Sequence, residues 1–282
     1  MQIIADATTL QTLTATLHAE QKAIGFVPTM GALHEGHLSL VQAARQQTDV
    51  VIASIFVNPT QFGKHEDLSR YPRDLERDAA MLESFGVEYL FTPTPDEIYP
   101  TGFATYVNVE GLGELLEGAS RPGHFRGVAT VLTILFNLAR PHQVFMGQKD
   151  AQQVVVVKKM VRDLRLPTEI VVVPTMREAD GLAMSSRNQY LNPEERQAAT
   201  VLSRSLGKAQ ELFANGERQA LTIKYEMQQM IAAEPLAAVD YIAVNDAQTL
   251  APIGTIGEQA VVISLAVRMG KTRLIDNVIL PG

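Results

Sequence analysis

His34 and His37, three residues apart in VPTMGALHEGH (27–37), stand where an apolar run breaks at a glycine. A helix starting there places both imidazoles on one face, since residues three apart are neighbours. Three chemistries suit such a pair: metal ligation, a structural contact, or donation to an anion. Zinc proteases space their histidines four apart as H-E-x-x-H, and HEGH does not match that pattern. The chain has no cysteine and no third ligand at a fixed spacing, so the residues themselves define no metal site. A strand-to-helix turn favours the anion, because N–H groups and the helix dipole at a helix start attract phosphate.

Other polar groups cluster in three further segments. Lys149 in GQKD follows an apolar run; it is either a solvated lysine opening a helix or a mobile ammonium that neutralises phosphate charge in a transition state. Asp150 beside it could cap that helix or hold ribose hydroxyls. In MSSRN, Ser185, Ser186 and Arg187 are either a solvated loop or a set of donors for phosphate oxygens. In NPTQF, Pro59 prevents Asn58 from being a glycosylation acceptor. Gln61 there, and Gln153 one turn beyond Lys149, offer donors and an acceptor suited to a hydroxy acid. The common nucleotide motifs are missing: MGKT (269–272) has Leu265 where the first glycine belongs, and the 111–116 run lacks its last glycine.

These segments need a frame. Nearly continuous apolar runs at 23–29, 50–57, 87–93, 143–147 and 168–174 read as strands covered on both faces. Helix-compatible spacing fills His37–Gln47, Pro72–Phe85, Phe125–Ala139 and Ala151–Asp163. The alternation predicts an α/β fold, a Rossmann-like parallel sheet with helices on both faces. Ligands bind such sheets beyond the carboxyl ends of the strands, where TMGALHEGH, NPTQFGKHED and GQKDAQQ lie. Residues 104–127 read as an insertion with a short strand and a mobile loop. After Pro174 the pattern changes: Asn192-Pro193-Glu194-Glu195 has the form of a helix start, two long helical patterns follow, then β-like runs at 238–244, 260–267 and TRLIDNVIL. The expected division is 1–175, the Rossmann-like sheet, and 176–282, a smaller α+β domain. Residues 62–70 and 118–127 are alternative covers.

A chain of 282 residues with net charge −7 can bury a large core but is not built to hold DNA or tRNA. Without cysteine there are no disulfides or thiolate sites. No run approaches the ~18 apolar residues of a membrane span, and the start MQIIADATTLQTL lacks a signal-peptide pattern. The expectation is a cytoplasmic protein, with no nucleic-acid and no membrane partner.

Taken together and in order, VPTMGALHEGH, SIFVNPTQF, RPGHFRGV, FMGQKDAQQ and READGLAMSSRN resemble the pantoate–β-alanine ligase (pantothenate synthetase) family. HEGH and MSSRN are similar to the HIGH and KMSKS-type signatures of the wider nucleotidyl-transferase superfamily. The resemblance implies ATP-dependent condensation of (R)-pantoate with β-alanine through a pantoyl adenylate, releasing AMP and pyrophosphate. It implies that His34 and His37 contact the ATP phosphates, with His34, His37 and Lys149 catalytic, and that residues 1–175 bind nucleotide and pantoate while 176–282 closes over the ATP site. It assigns Met30, Gly147, Asp150, Met176 and Met184 to the adenosine site, and Ser185, Ser186 and Arg187 to phosphate. Gln61 and Gln153 match the pantoate-holding glutamines, and Asn58 lies beside them. Mg²⁺ accompanying ATP and a homodimer are also implied. Two departures stand out: Gln148 replaces the family's usual glutamate, and Thr60 its methionine. Alternatives are another adenylyl-transferring member of the superfamily or a catalytically silent ATP-binding sensor.

Overall fold

The computed structural model describes residues 1–64 and 66–282. His65, inside the expected cover 62–70, lies outside the described residues. Packing divides the chain into two compact units, Met1–Gly147 with Val156–Val173, and Gln148–Val155 with Pro174–Gly282. Packing groups residues 148–155 with the later part of the chain.

The first unit is a six-stranded sheet of β1 (Gln2–Ile4), β2 (Ile24–Thr29), β3 (Val50–Ile55), β4 (Tyr89–Phe91), β5 (Gln143–Gly147) and β6 (Glu169–Val173), ordered β1-β4-β3-β2-β5-β6. Every neighbouring pair is parallel. Helices α1 (Ala7–Ala19), α2 (Glu35–Gln47), α3 (Leu75–Ser84), α4 (Pro95–Ile98), α5 (Glu117–Ser120), α6 (His124–Ala139) and α7 (Ala151–Asp163) fill the connections. Strand β2 shows why both faces are covered. Its side chains alternate, so Val27 joins Leu40, Val41 and Ala44 of α2 in one core, while Phe26 meets Phe136 of α6 edge-on at 6.3 Å. Gly25 must be small, since a Cβ there would stand 2.5 Å from the Thr48 hydroxyl.

Sequence and structure part at several places. Strand β1 and helix α1 were not anticipated; β1 buries only Ile4, too little apolar signal to read. Helix α2 begins at Glu35, ahead of the expected His37, because His34 caps it. Helix α3 begins at Leu75 instead of Pro72, because the Asp74 side chain caps the Arg77 N–H. Residues 104–127 contain no strand. There the Val107 N–H donates to the Thr130 hydroxyl of α6 at 3.0 Å, so that backbone donor pairs with a side chain instead of a strand ladder.

The second unit holds the antiparallel sheet β7 (Ala237–Asp246), β8 (Val261–Met269), β9 (Thr272–Leu280), in that order. Helices α8 (Pro193–Ala198), α9 (Val201–Ala214) and α10 (Ala220–Ala232) precede it. Leu202, Leu206, Ile223 and Met227 pack with Ile263, Leu265 and Val267 in its core. The expected helix start is present: the Asn192 side chain accepts from the Glu195 N–H at 2.9 Å and Glu195 accepts from the Asn192 N–H at 3.0 Å. Among the described residues no helix is long and apolar enough to cross a membrane.

Candidate active site

After β2 the chain turns through Gly31 and Ala32, both with positive φ (79° and 51°). This turn is tied down from α3: buried Asp78, 1% exposed, accepts from the Ala32 N–H at 2.7 Å and the Leu33 N–H at 3.0 Å. The Thr29 hydroxyl, bonded to the Ser54 carbonyl at 2.7 Å, accepts from the Gly31 N–H. His34 is the N-cap of α2; its Nδ1 accepts from the Gly36 N–H at 3.2 Å, and His37 Nδ1 accepts from the His34 N–H at 3.3 Å. The rings lie 4.1 Å apart. An imidazole nitrogen that accepts an N–H bears no proton, so the neutral rings carry theirs on Nε2. The two histidines thus cap the start of α2. Met30 and Gly31 also line a cleft of about 300 Å³ with Phe56, Arg73, Asp74 and Pro93.

Beyond β3, Asn58 is buried, 1% exposed, and its amide is spent inside the protein. Its Oδ1 accepts from the Thr60 hydroxyl at 2.9 Å and the Tyr99 hydroxyl at 2.7 Å. Its Nδ2 donates to Gln61 Oε1 at 3.0 Å and to the Gly127 carbonyl at 3.1 Å. Gln61 is thus oriented with its Nε2 toward Met30 Sδ, 3.2 Å away. Thr60, the departure from the family's methionine, adds a polar tie to Asn58. Gly127 permits the close approach of α6, since a Cβ there would sit 2.5 Å from the Thr60 carbonyl oxygen. The two segments proposed as covers are joined: Arg121 clamps Glu66 through Nε (2.9 Å) and NH2 (2.5 Å). Burial pushes the Glu66 carboxyl up, but the hydrogen bond and charge of Arg121 prevail and leave it below its ordinary value.

In the second unit, the turn Gln148–Asp150 is held by β9. The Gln148 side chain donates to Asn277 Oδ1 at 3.0 Å, and Asn277 Nδ2 donates to the Gln148 and Lys149 carbonyls at 3.0 and 2.8 Å. A glutamate at 148 has no N–H to give that first bond. Lys149 Nζ lies 3.5 Å from Asp150 Oδ1. Gln153 is partly exposed on α7, and Gly147 ends β5 with open space where a Cβ would be.

The MSSRN loop is built on charge. Arg177 binds buried Asp276 through both terminal nitrogens, at 2.6 and 3.0 Å. An isolated antiparallel bridge, Arg177 with Ala183, and a Met184 N–H to Met176 carbonyl bond at 3.0 Å close the loop on itself. Glu178 accepts from Asn188 at 3.0 Å and from Arg196 at 2.7 Å, and Arg196 also reaches Asp180 at 2.7 Å. The Arg196 hydrogen bond holds the Asp180 carboxyl below its ordinary value. Ser185 caps a short 3₁₀ turn, its hydroxyl accepting from the Arg187 N–H at 3.3 Å. Ser186 is buried, while Met176 is 40% exposed.

A family model for pantoate-beta-alanine ligase matches residues 2–279. The chain belongs to the pantoate–β-alanine ligase family. It is 54% identical to the pantothenate synthetase of Moorella thermoacetica over 99% of both chains. Its identity to that of Herpetosiphon aurantiacus is 58%, over 91% of this chain and 93% of the other. The crystal structure of pantothenate synthetase from Thermus thermophilus superposes with a TM-score of 0.92 at 48% identity, covering 99% of each chain. A ligase of Francisella tularensis, solved in complex with beta-gamma ATP and beta-alanine, gives 0.79 at 36% identity over 99% of this chain and 97% of that one. The chain is thus a ligase, and the parallel sheet followed by a small antiparallel domain is the fold of its relatives.

In this pantoate–β-alanine ligase, the first unit brings together Met30, His34, His37, Asn58 and Gln61 at the ends of β2 and β3. The second carries Lys149, Asp150, Gln153, Met176, Met184, Ser185, Ser186 and Arg187. Sequence reasoning missed the residues that hold these in place: Asp78, Tyr99, Arg121, His124, Arg177, Asp276 and Asn277. Most lie far in sequence from the group they serve, although the pair Asp276-Asn277 in the middle of the largely apolar strand TRLIDNVIL was a visible oddity.

Proposed function

We propose that the chain condenses (R)-pantoate with β-alanine to pantothenate through a pantoyl adenylate. The observation that carries this reading is the histidine turn, where both Nδ1 atoms accept backbone N–H groups and the proton of each neutral ring is left on Nε2, the atom that donates to phosphate. In the first step a pantoate carboxylate oxygen bonds to the α-phosphorus of ATP, the bond to the bridging oxygen breaks, and pyrophosphate leaves. In the second, the β-alanine amine attacks the acyl carbon, loses a proton, and AMP leaves. An ionised carboxylate needs no base, so His34, His37 and Lys149 act by donating to phosphate oxygens whose charge grows in the transition state. Ser185, Ser186 and Arg187 add donors to the phosphates; Met30, Gly147, Asp150, Met176 and Met184 take the adenosine. Gln61 and Gln153 hold pantoate, and Asn58 holds Gln61.

Mg²⁺ fits as a companion of the nucleotide. Among the described residues no three His, Asp or Glu side chains gather as a cage, and Mg²⁺ usually keeps its waters and binds through phosphates with one or two carboxylates. Asp150 is the carboxylate beside Lys149. When bound, the ion neutralises phosphate oxygen charge. A homodimer working in the cytoplasm, on small molecules only, completes the proposal. ATP–pyrophosphate exchange tests it: exchange should require pantoate and Mg²⁺. Exchange without pantoate, or with another acid in its place, would identify a different adenylyl transfer; binding of ATP with no exchange would identify a silent sensor.

A further inference from the structure

Gln61 is gripped at both ends. Its side chain is oriented by Asn58, as described, but its backbone carbonyl is gripped separately by residues that the chemistry above does not use. His124 Nδ1 lies 2.9 Å from the Gln61 carbonyl oxygen, and Arg121 NH2 reaches the same oxygen at 3.5 Å. Arg121 NH1 also stands 3.1 Å from His124 Nε2. A guanidinium can only donate, so Nε2 must accept and the ring proton must sit on Nδ1, aimed at the carbonyl. The imidazole is buried and meets the Phe125 ring edge-on at 4.9 Å, which leaves it little room to turn. Glu66 anchors the far side of Arg121 through two bonds. The result is one directed line: Glu66 fixes Arg121, Arg121 sets the His124 tautomer, and His124 holds Gln61.

We infer that His124 and the Arg121–Glu66 pair are positioning residues that set the Gln61 carboxamide for the acid substrate. The line ties three segments that otherwise share no sheet or helix: the turn after β3, the loop at Glu66, and the start of α6. Gly127 adds a steric limit on the same turn, since a Cβ there would stand 2.7 Å from the Gln61 nitrogen. A carboxamide must be placed within about 1 Å to keep its share of a bound geometry. Two independent grips, one on the main chain and one on the side chain, meet that requirement. The proposal rests on the assignment of Gln61 to pantoate, and its test separates the two.

His124→Phe keeps the volume and ring packing but removes the donor; His124→Asn restores an N–H near the Nδ1 position. Pantoate-dependent exchange with His124→Phe should show a pantoate KM raised about tenfold, the scale of one lost buried hydrogen bond, with the ATP KM and kcat changed less than about twofold. His124→Asn should recover most of that loss. Glu66→Gln and Arg121→Lys, in loops less prone to disturb folding, should raise the same KM by smaller factors. The double variant with Gln61→Ala should be no worse than Gln61→Ala alone. Equal rises in both KM values, no recovery with asparagine, or multiplicative effects in the double variant would overturn the inference. The Gln61 side-chain amide resonance gives a readout independent of activity. It should move in His124→Phe, and an unmoved resonance in folded protein also overturns the inference. If it moves while Gln61→Ala leaves the pantoate KM unchanged, the positioning stands and the pantoate assignment of Gln61 falls.

Discussion

Around His34 and His37 the backbone is fixed by groups that water barely reaches: Asp78, 1% exposed, and the Thr29 hydroxyl. Around Ser185–Arg187 it is fixed by ion pairs whose arginines are partly open, with Arg177 at 29% and Arg196 at 27% side-chain exposure. The first arrangement exploits the low dielectric of the interior, where a satisfied polar group is strong and an orphaned one expensive. In the second, the Arg196 pairs tolerate loss, since partly solvated pairs contribute little each, whereas Arg177 closes on the buried Asp276 carboxylate, which is costly to orphan. The turn that carries two imidazoles is held by buried groups, and the loop that carries Ser185, Ser186 and Arg187 is held by arginines that are partly open.

The contrast can be broken by mutation. Asp78→Ala strands two buried N–H groups and should cost roughly 3–5 kcal/mol of stability, seen in urea and thermal melts, along with exchange activity. Lys149→Ala should reverse that profile: exchange falls ~10²–10³-fold, the scale for one preorganised donor, while the melting temperature stays near that of the parent, because its partner Asp150 is 3.5 Å away and half exposed. A parent-like rate would remove Lys149 from the chemistry. The buried side should also feel acid. Burial, then the Arg121 charge, lowers the His124 pKa from 6.5 to about 4, against the hydrogen bond to the Gln61 carbonyl and the charges of Glu66 and Glu117. The unfolded chain therefore binds a proton that the folded one refuses, so stability is full above pH 6.5 and drains away between 6.5 and about 4. His124→Asn should flatten that part of the pH–stability curve. Arg196→Gln should be the mildest change, about 1 kcal/mol or less, and added salt should shrink it further.

Much of this frame was legible beforehand. Strand β5 was expected over 143–147 and forms there, because a two-faced parallel strand leaves a continuous apolar run. The capping box at Asn192 was readable from four residues. The box at His34 was not, since histidine is outside the usual capping residues, and the same spacing had suggested a helix starting at 34–37. Asp78 bonds to amides 45 and 46 residues earlier, and Arg177 binds Asp276 across 99 residues. Local periodicity carries no information about such pairs. The candidate chemical groups could be named from motifs; what orients them depends on contacts that exist only after folding.

The amides of Ala32 and Leu33 converge on the carboxylate of Asp78, a concavity of successive N–H groups of the kind that captures anions. The fold has in effect supplied its own guest. Shortening that side chain, as in Asp78→Gly, leaves a cradle the size of formate, and formate added to the purified variant should restore part of the lost melting temperature while chloride at equal ionic strength does not. A turn that can be completed from solution would be a detachable component, whose integrity could be titrated independently of the substrates.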